Sequence, residues 1–248
     1  GRTYQYLTSN ALDYVLNTSN PTRIQMRETS LSIINATMKS SEKNYIKYAA
    51  KQSRISNSYK KWIGQNIGLK ENSALQKKID FERDFQMKAK SKSEYATLLS
   101  DFKSLYSEIH DYEFARDMFI ELYYMGPEIF RFSYGFQDFE DFETLSSKSD
   151  FSDFKKNKFE GVKGYFKNYD VATDKQIFSA LVKLYRELMK DELEPASLQL
   201  IDTKFNGDVD AFSDYVYEKS VFCDESKTNN FLRAYNKGIA KKMLKDPA

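Results

Sequence analysis

The sequence is poor in the residues on which most enzymatic chemistry depends. Of its 248 residues only Cys223 is a cysteine and only His110 a histidine. A lone cysteine excludes an intrachain disulfide and a thiolate metal cluster. A lone histidine excludes the carboxylate-bridged di-metal bundle site, which takes a Glu-x-x-His motif from each of two helices. It also leaves His110 as the one possible imidazole base, and its acidic neighbours Glu108, Asp111 and Glu113 point to different sides of a helix. His110 therefore reads as a surface or packing residue. No Walker loop and no dinucleotide-binding glycine pattern occurs. No run approaches 18 apolar residues, which excludes an ordinary transmembrane helix. Glycine (nine) and proline (four) are scarce, which argues against a turn-rich sheet protein.

What is present supports a large helical core. Hydrophobic residues make up 41% of the chain and aromatics 15%, including 18 Tyr and 19 Phe. The spacing of the apolar residues is helical, and the fold expected is all-α: a multi-helix, bundle-like domain with long helical hairpins, a single unit over residues 1–248. A first helix is expected from about Tyr4 to Leu16. Asn20-Pro21 reads as the cap and first position of a second, carrying Ile24, Leu31, Ile34 and Met38. A third helix spans about Glu42 to Asn66, with Gly68 as its stop and Gly64 inside it, a residue that implies close packing or an early end. Leu75 to Ala89 and Tyr95 to Leu122 continue the pattern, and Gly126-Pro127 ends it. The phenylalanine-dense stretch 129–169 predicts short helices buried against the long ones. Thr173-Asp174-Lys175-Gln176 predicts a capping box, Asn206-Gly207 a turn, and Phe231 to Met243 a terminal helix.

Charge is nearly balanced, with 38 basic and 36 acidic residues, so the chain has no general field for nucleic acid. It is uneven locally: residues 41–70 hold seven Lys or Arg and only Glu42 as an acid, whereas 138–154 hold six acids and only Lys148 as a base. Both segments read as solvated faces or as docking surfaces. Lys51, Arg54, Lys60 and Lys61 flank a packing stripe. Asp202, Asp208 and Asp210 lack the residue order of a calcium loop and read as a turn and a helix start. Asn57, in the middle of the third helix, is a poor helix former whose amide both donates and accepts. It suits a polar surface role or the orientation of a peptide's ammonium group.

The opening Gly1-Arg2-Thr3-Tyr4-Gln5-Tyr6-Leu7-Thr8-Ser9, the Asn20-Pro21 and Arg27 positions, and above all Tyr48-Ala49-Ala50-Lys51 through Asn57-Ser58-Tyr59-Lys60-Lys61-Trp62-Ile63-Gly64 to Lys70 resemble the family 46 serine peptidases, bacterial dipeptidyl-peptidases of types 7 and 11. The resemblance runs from Gly1 to Ala248 and is most specific in the first 70 residues. It implies that the chain is the α-helical domain inserted between or within the β-barrel parts of such a peptidase, with the Ser-His-Asp triad on the barrels and no catalytic residue here. It further implies a lid over the cleft, short peptides with a free N-terminus as ligands, the barrel portion of the same parent chain as partner, a homodimeric parent, and the bacterial periplasm or cell envelope. By the same resemblance Asn57 is the substrate-binding residue that holds the α-ammonium. Two departures stand out: Gln5 where the family has Arg, and Tyr59 where it has Trp. No cofactor and no metal are implied. The sequence opens without an initiator methionine or signal segment, as a processed chain or a piece of a longer one does. Two other readings compete: a non-enzymatic helical adaptor or protein-binding module, and, less favoured, nucleic-acid binding through residues 41–70.

Overall fold

The computed structural model describes residues 6–149, 151–243 and 245, and among these every regular element is helical. In chain order the helices are α1 (Ser9–Tyr14), α2 (Asn20–Ser40), α3 (Glu42–Glu71), α4 (Ala74–Ala89), α5 (Leu98–Phe119), α6 (Glu128–Tyr134), α7 (Phe142–Ser146), α8 (Phe151–Asn168), α9 (Val171–Leu188), α10 (Ala196–Phe205), α11 (Val209–Lys219), α12 (Glu225–Ala234) and α13 (Lys237–Met243). The all-α architecture with long hairpins is as expected. Ser41, in extended conformation, is the whole link between α2 and α3 and caps α3 by accepting a hydrogen bond from the Asn44 amide at 3.2 Å. The two helices then pack along each other as an antiparallel hairpin, and α4 folds back on α3 and α1.

Several expected boundaries move. Asn20-Pro21 does not start a new helix: α1 runs into α2 through a π turn at Val15–Ser19, in which the Asn20 amide bonds to the Val15 carbonyl. Proline inside an α-helix lacks one donor and crowds the carbonyl four residues back, and a widened turn just before it relieves both problems. Gly68 does not stop α3, which continues to Glu71. The stop is made instead by the Asn72 side chain, which donates to the Gly68 carbonyl at 2.8 Å, and by Ser73 in the left-handed region at φ 49°. Gly64 is neither closely packed nor near an end, since a Cβ there would meet open space. Tyr95 itself ends a separate 3-10 turn (Ser93–Tyr95), and from Leu98 the run is one helix, α5, extended by a second π turn at Ile120–Tyr124 before Gly126-Pro127 ends it. The region 129–169 is short-helical as expected up to α7, but α8 is 18 residues long. The expected capping box lies inside α9, whose N-cap is Asp170. Asn206-Gly207 is a turn, with φ 52° and 82°. The terminal helix breaks at Tyr235-Asn236, where the Asn236 side chain caps the amides of Gly238 and Ile239.

The apolar residues divide into two cores. The first joins α2, α3, α5, α9, α10 and α11 through residues such as Met26, Tyr48, Met118, Phe178, Leu181 and Ile201. The second is the destination of the dense phenylalanines: Phe136, Phe139, Leu145, Val162 and Leu232 are its buried centre, contributed from the segment after α6 and from α7, α8 and α12. Tyr235 packs edge-on to Phe139 and donates to that residue's carbonyl at 2.7 Å. Phe222 touches both cores and joins them.

A buried ionic layer crosses the first core beside the two π turns. Arg27, 5% exposed, pairs with Glu121, 3% exposed. Asp117 accepts from Tyr14 at 3.0 Å, from Ser19 at 2.7 Å and from Arg23. Trp62 of α3 lies over both guanidiniums, 5.4 Å from each. Replacing Arg27 with Met strands the Glu121 carboxylate in a dry interior and should cost about 3–5 kcal/mol. Urea unfolding measures this, and the double variant R27M/E121L should recover much of the loss. A double variant as unstable as the single one would mean that the packing of the Arg27 stem, and not the stranded charge, dominates.

Candidate functional site

The 30-residue helix α3 presents two very different faces. Tyr48, Ile55 and Tyr59 turn inward to the first core, and Trp62 lies between α2's arginines. Asn57 points the other way. It is exposed, and its side chain makes no hydrogen bond to another described residue. The aromatics that follow it in sequence therefore do not share its face: Tyr59 packs on the first core and Trp62 against the arginines of α2, whereas Asn57 shares the exposed side with Arg54, Lys61 and Gly64. The Tyr59 departure falls in the core and away from Asn57. Gln5 lies outside the described residues.

One helical turn before Asn57, Arg54 reaches a concavity of about 210 Å³ where α3 passes the loop after α5. Gly126 and Pro127 form its rim, and Glu128, Arg131, Phe132 and Tyr165 line it. Gly126 is required by close approach, because a Cβ would come within 2.4 Å of the Leu122 carbonyl oxygen and 2.8 Å of Leu181. Phe132 and Tyr165 stack face to face, 3.7 Å between ring centres. Lys51 of α3 pairs with Glu128 and also donates to the Asn168 carbonyl at 2.8 Å. Lys47 donates to the next carbonyl, that of Tyr169, at 3.2 Å. Two lysines of the basic run thus serve the C-terminal end of α8, where cations are favoured. Arg54 and Arg131 are exposed, and neither guanidinium is paired with a carboxylate among the described residues.

The loop that carries this rim is tied down from beneath by Asp174. Its carboxylate, 1% exposed, accepts from the backbone amides of Glu128 and Ile129 and from the hydroxyls of Tyr169 (3.1 Å) and Tyr217 (2.7 Å). Burial, with the nearby Glu128 carboxylate adding to it, pushes the Asp174 pKa up to about 6. Burial and the same aspartate hold the Tyr169 and Tyr217 phenols far above their ordinary range. Cys223, close by and half-buried, is pushed up to about 11, so its thiol stays protonated near neutrality.

The remaining residues singled out in the sequence do not assemble. His110 is exposed and bonds to Asp111 at 3.2 Å; its ring meets the Tyr14 ring edge-on at 5.5 Å. Asp208 caps α11, Asp210 is taken by Ser179 and Lys183, and Asp202 by Arg186, so the three acids face different partners. Among the described residues no group of three or more His, Cys, Asp or Glu side chains is placed to hold a metal ion, and no helix is long and apolar enough to cross a membrane. Sequence reading missed Arg131 and the role of Asp174. The one legible signal for the latter was a charged residue between the apolar positions of α9.

Comparison with known proteins adds the family context. The Peptidase S46 family profile matches residues 1–248. The Asp/Glu-specific dipeptidyl-peptidase of Flavobacterium psychrophilum is 32% identical over 99% of the chain, and dipeptidyl-peptidase 7 of Phocaeicola vulgatus is 28% identical over all of it. Each match covers 34% of the relative, so the chain spans about a third of the length of these proteins. The crystal structure of Porphyromonas endodontalis DPP11 superposes on the whole chain with a TM-score of 0.78 at 20% identity, over 35% of that chain, and its complex with the dipeptide Arg-Glu with 0.77.

A pH dependence follows from Asp174. Its carboxyl is more acidic unfolded (3.8) than folded (about 6), so the folded state holds the extra proton between these values. The stabilisation is full below pH 4 and is lost as pH rises to about 6. Relative to D174N, the wild-type chain should lose about 2–3 kcal/mol between pH 4 and 7, read from urea midpoints at each pH. A difference that stays flat across this window would mean that the four donors, and not burial, set the Asp174 charge state.

Proposed function

The chain belongs to the Peptidase S46 family, and from that premise we propose that it is the helical lid and substrate-gating domain of a serine dipeptidyl-peptidase, which releases dipeptides from peptide N-termini. The observation that carries the reading is the combination of a whole-chain family match with coverage of only about a third of each relative, in a purely helical part of the molecule. In this reading the remaining part supplies the β-barrels and the Ser-His-Asp triad. A serine attacks the carbonyl carbon of the second residue, a histidine takes its proton and passes it to the leaving amine, and an aspartate orients the imidazole. Short peptides with a free N-terminus are the substrates, the parent works as a homodimer, and its place is the periplasm or cell envelope.

Removal of exactly two residues requires a fixed distance between the substrate's ammonium and the nucleophile. Asn57 is proposed to hold the ammonium through its side-chain carbonyl. Its exposure on the outer face of α3 and its lack of a partner among the described residues favour a contact outside this domain. A neutral amide bonds an ammonium strongly only where water is excluded, which is the physical reason to place it on a closing domain. The adaptor reading has no specific observation in its favour, and the nucleic-acid reading weakens because Lys47 and Lys51 of the basic run are engaged within the domain.

In the full-length parent, Asn57→Ala should raise KM and lower kcat/KM for dipeptidyl substrates by about 1–3 kcal/mol of lost contact, with the thermal unfolding temperature unchanged. Unaltered kinetics in the folded variant would remove Asn57 from the substrate site. The isolated 248-residue chain should release no dipeptide from any peptide when assayed by mass spectrometry. Release that persists through rigorous purification would place catalytic groups within it and sink the lid assignment.

A further inference from the structure

Arg54 and Arg131 come from separate helices, α3 and α6, and line one small cavity. Both are exposed, and neither is neutralised by a carboxylate of the described residues. Their surroundings explain why they stay free. The acid within the same cavity, Glu128, is already held by Lys51, and Asp174 beneath it is consumed by two backbone amides and two tyrosine hydroxyls. Two guanidiniums are left without a side-chain hydrogen-bond partner among the described residues, next to a wall made by the Phe132–Tyr165 stack and by Tyr124. Guanidinium is the group best matched to a planar, two-oxygen anion. A cavity of about 210 Å³ is smaller than the roughly 300–1,000 Å³ that encloses a whole small ligand. It fits one side chain or one chain end.

We propose that Arg54 and Arg131 form a carboxylate-binding subsite for the peptide substrate, with the aromatic wall taking the apolar part of the bound residue. The assignment rests on the dipeptidyl-peptidase reading above and extends it. Arg54 lies one helical turn from Asn57, about 4.5 Å along the axis, so a peptide whose ammonium is held at Asn57 passes within reach of the subsite. The carboxylate comes from one of two sources, an acidic side chain or the free C-terminus of a short peptide.

The test uses the full-length parent and hexapeptides in matched pairs. In one series a single Glu replaces Gln at each position in turn; in the other a free C-terminus replaces an amide. The readout is the ratio of kcat/KM between the charged peptide and its neutral twin, measured within each protein, so that a general change in activity cancels. The wild type should favour one charged arm by about tenfold or more, and which arm it is identifies the source. In R54A/R131A that ratio should fall to about one, while R54K/R131K, which keeps charge without the planar fork, should fall between. A wild-type ratio of one, or a preference that survives in R54A/R131A, overturns the subsite. A loss equal for both twins also overturns it, because the arginines would then bind a carboxylate of the parent itself. If no peptide is cleaved at all, the dipeptidyl-peptidase reading fails instead. Calorimetric binding of the same pairs still decides the subsite: the charged twin should bind R54A/R131A about tenfold more weakly than wild type, and equal affinities overturn the proposal.

Discussion

The ionic layer formed by Arg23, Arg27, Asp117 and Glu121 is the constraint around which the first core is arranged. Ions in a dry interior are tolerated only when each has a partner in good geometry. That requirement fixes the rotation of α2 against α5, because Arg27 must meet Glu121 while Asp117 meets Tyr14, Ser19 and Arg23. Both helices carry their π turns beside this layer. The turn at Val15–Ser19 brings Ser19 to Asp117, and the turn at Ile120–Tyr124 contains Glu121 itself. Each turn offsets one helical face by a residue, so a local widening of the backbone is what lets two long helices present charge to each other without giving up apolar contacts above and below. Trp62 closes the layer from α3, which makes the orientation of that helix, and therefore of its outer face, dependent on the same charges.

Asp174 does for the join between the cores what those charges do for the first one. It belongs to α9 in the first core, yet its partners are the first turn of α6, the tyrosine just after α8, and α11. One buried carboxylate thus collects four donors from three other segments. The rim of the concave site, Gly126 to Glu128, is held from below by Asp174 and from the side by the Lys51–Glu128 pair. A site whose rim is fixed in two directions keeps its shape when the outer face is approached, which is the preorganisation that recognition of a small charged group needs.

How much of this was legible in the sequence depended on whether the determining contact was local. The all-helical class, the hairpin of α2 and α3, the stop at Gly126-Pro127 and the turn at Asn206-Gly207 follow from periodicity and short-range chemistry. The failures share the opposite feature. Asn20-Pro21 looks like a helix start because proline is welcome there, and only the demand for Ser19 and Arg23 at Asp117 explains why the helix runs through it. Thr173-Asp174-Lys175-Gln176 has the spacing of a capping box, but Asp170 already caps α9 and the aspartate is needed in the interior. The charge density of residues 41–70 looked uniform. In space it separates into Lys47 and Lys51, used against α8, and Arg54, left open. No local pattern distinguishes these lysines from that arginine, because their partners lie more than a hundred residues away for α8 and more than seventy for Glu128.

The scarcity of catalytic residues and the wealth of internal polar networks belong together. Under the proposed lid function the domain performs no bond-breaking step, so it has no use for a strained nucleophile or a free base, and its ionisable groups can serve rigidity. Its interior charges are accordingly engaged, Arg27 and Glu121 by each other and Asp174 by four neutral donors. What the proposed gating role needs is a small number of polar groups left unsatisfied on one stiff surface, since only an unsatisfied group gains from meeting a ligand. Asn57, Arg54 and Arg131 fit that description: they stand on helices whose other faces are locked into the core, and they have no partner among the described residues. A neutral amide and two guanidiniums would divide the recognition of a peptide by charge, the amide facing a cation and the guanidiniums an anion. Both contacts weaken in bulk water and strengthen when water is displaced. On the proposed function, binding and closure would then reinforce each other and let the domain govern which peptides reach the proposed serine of the parent.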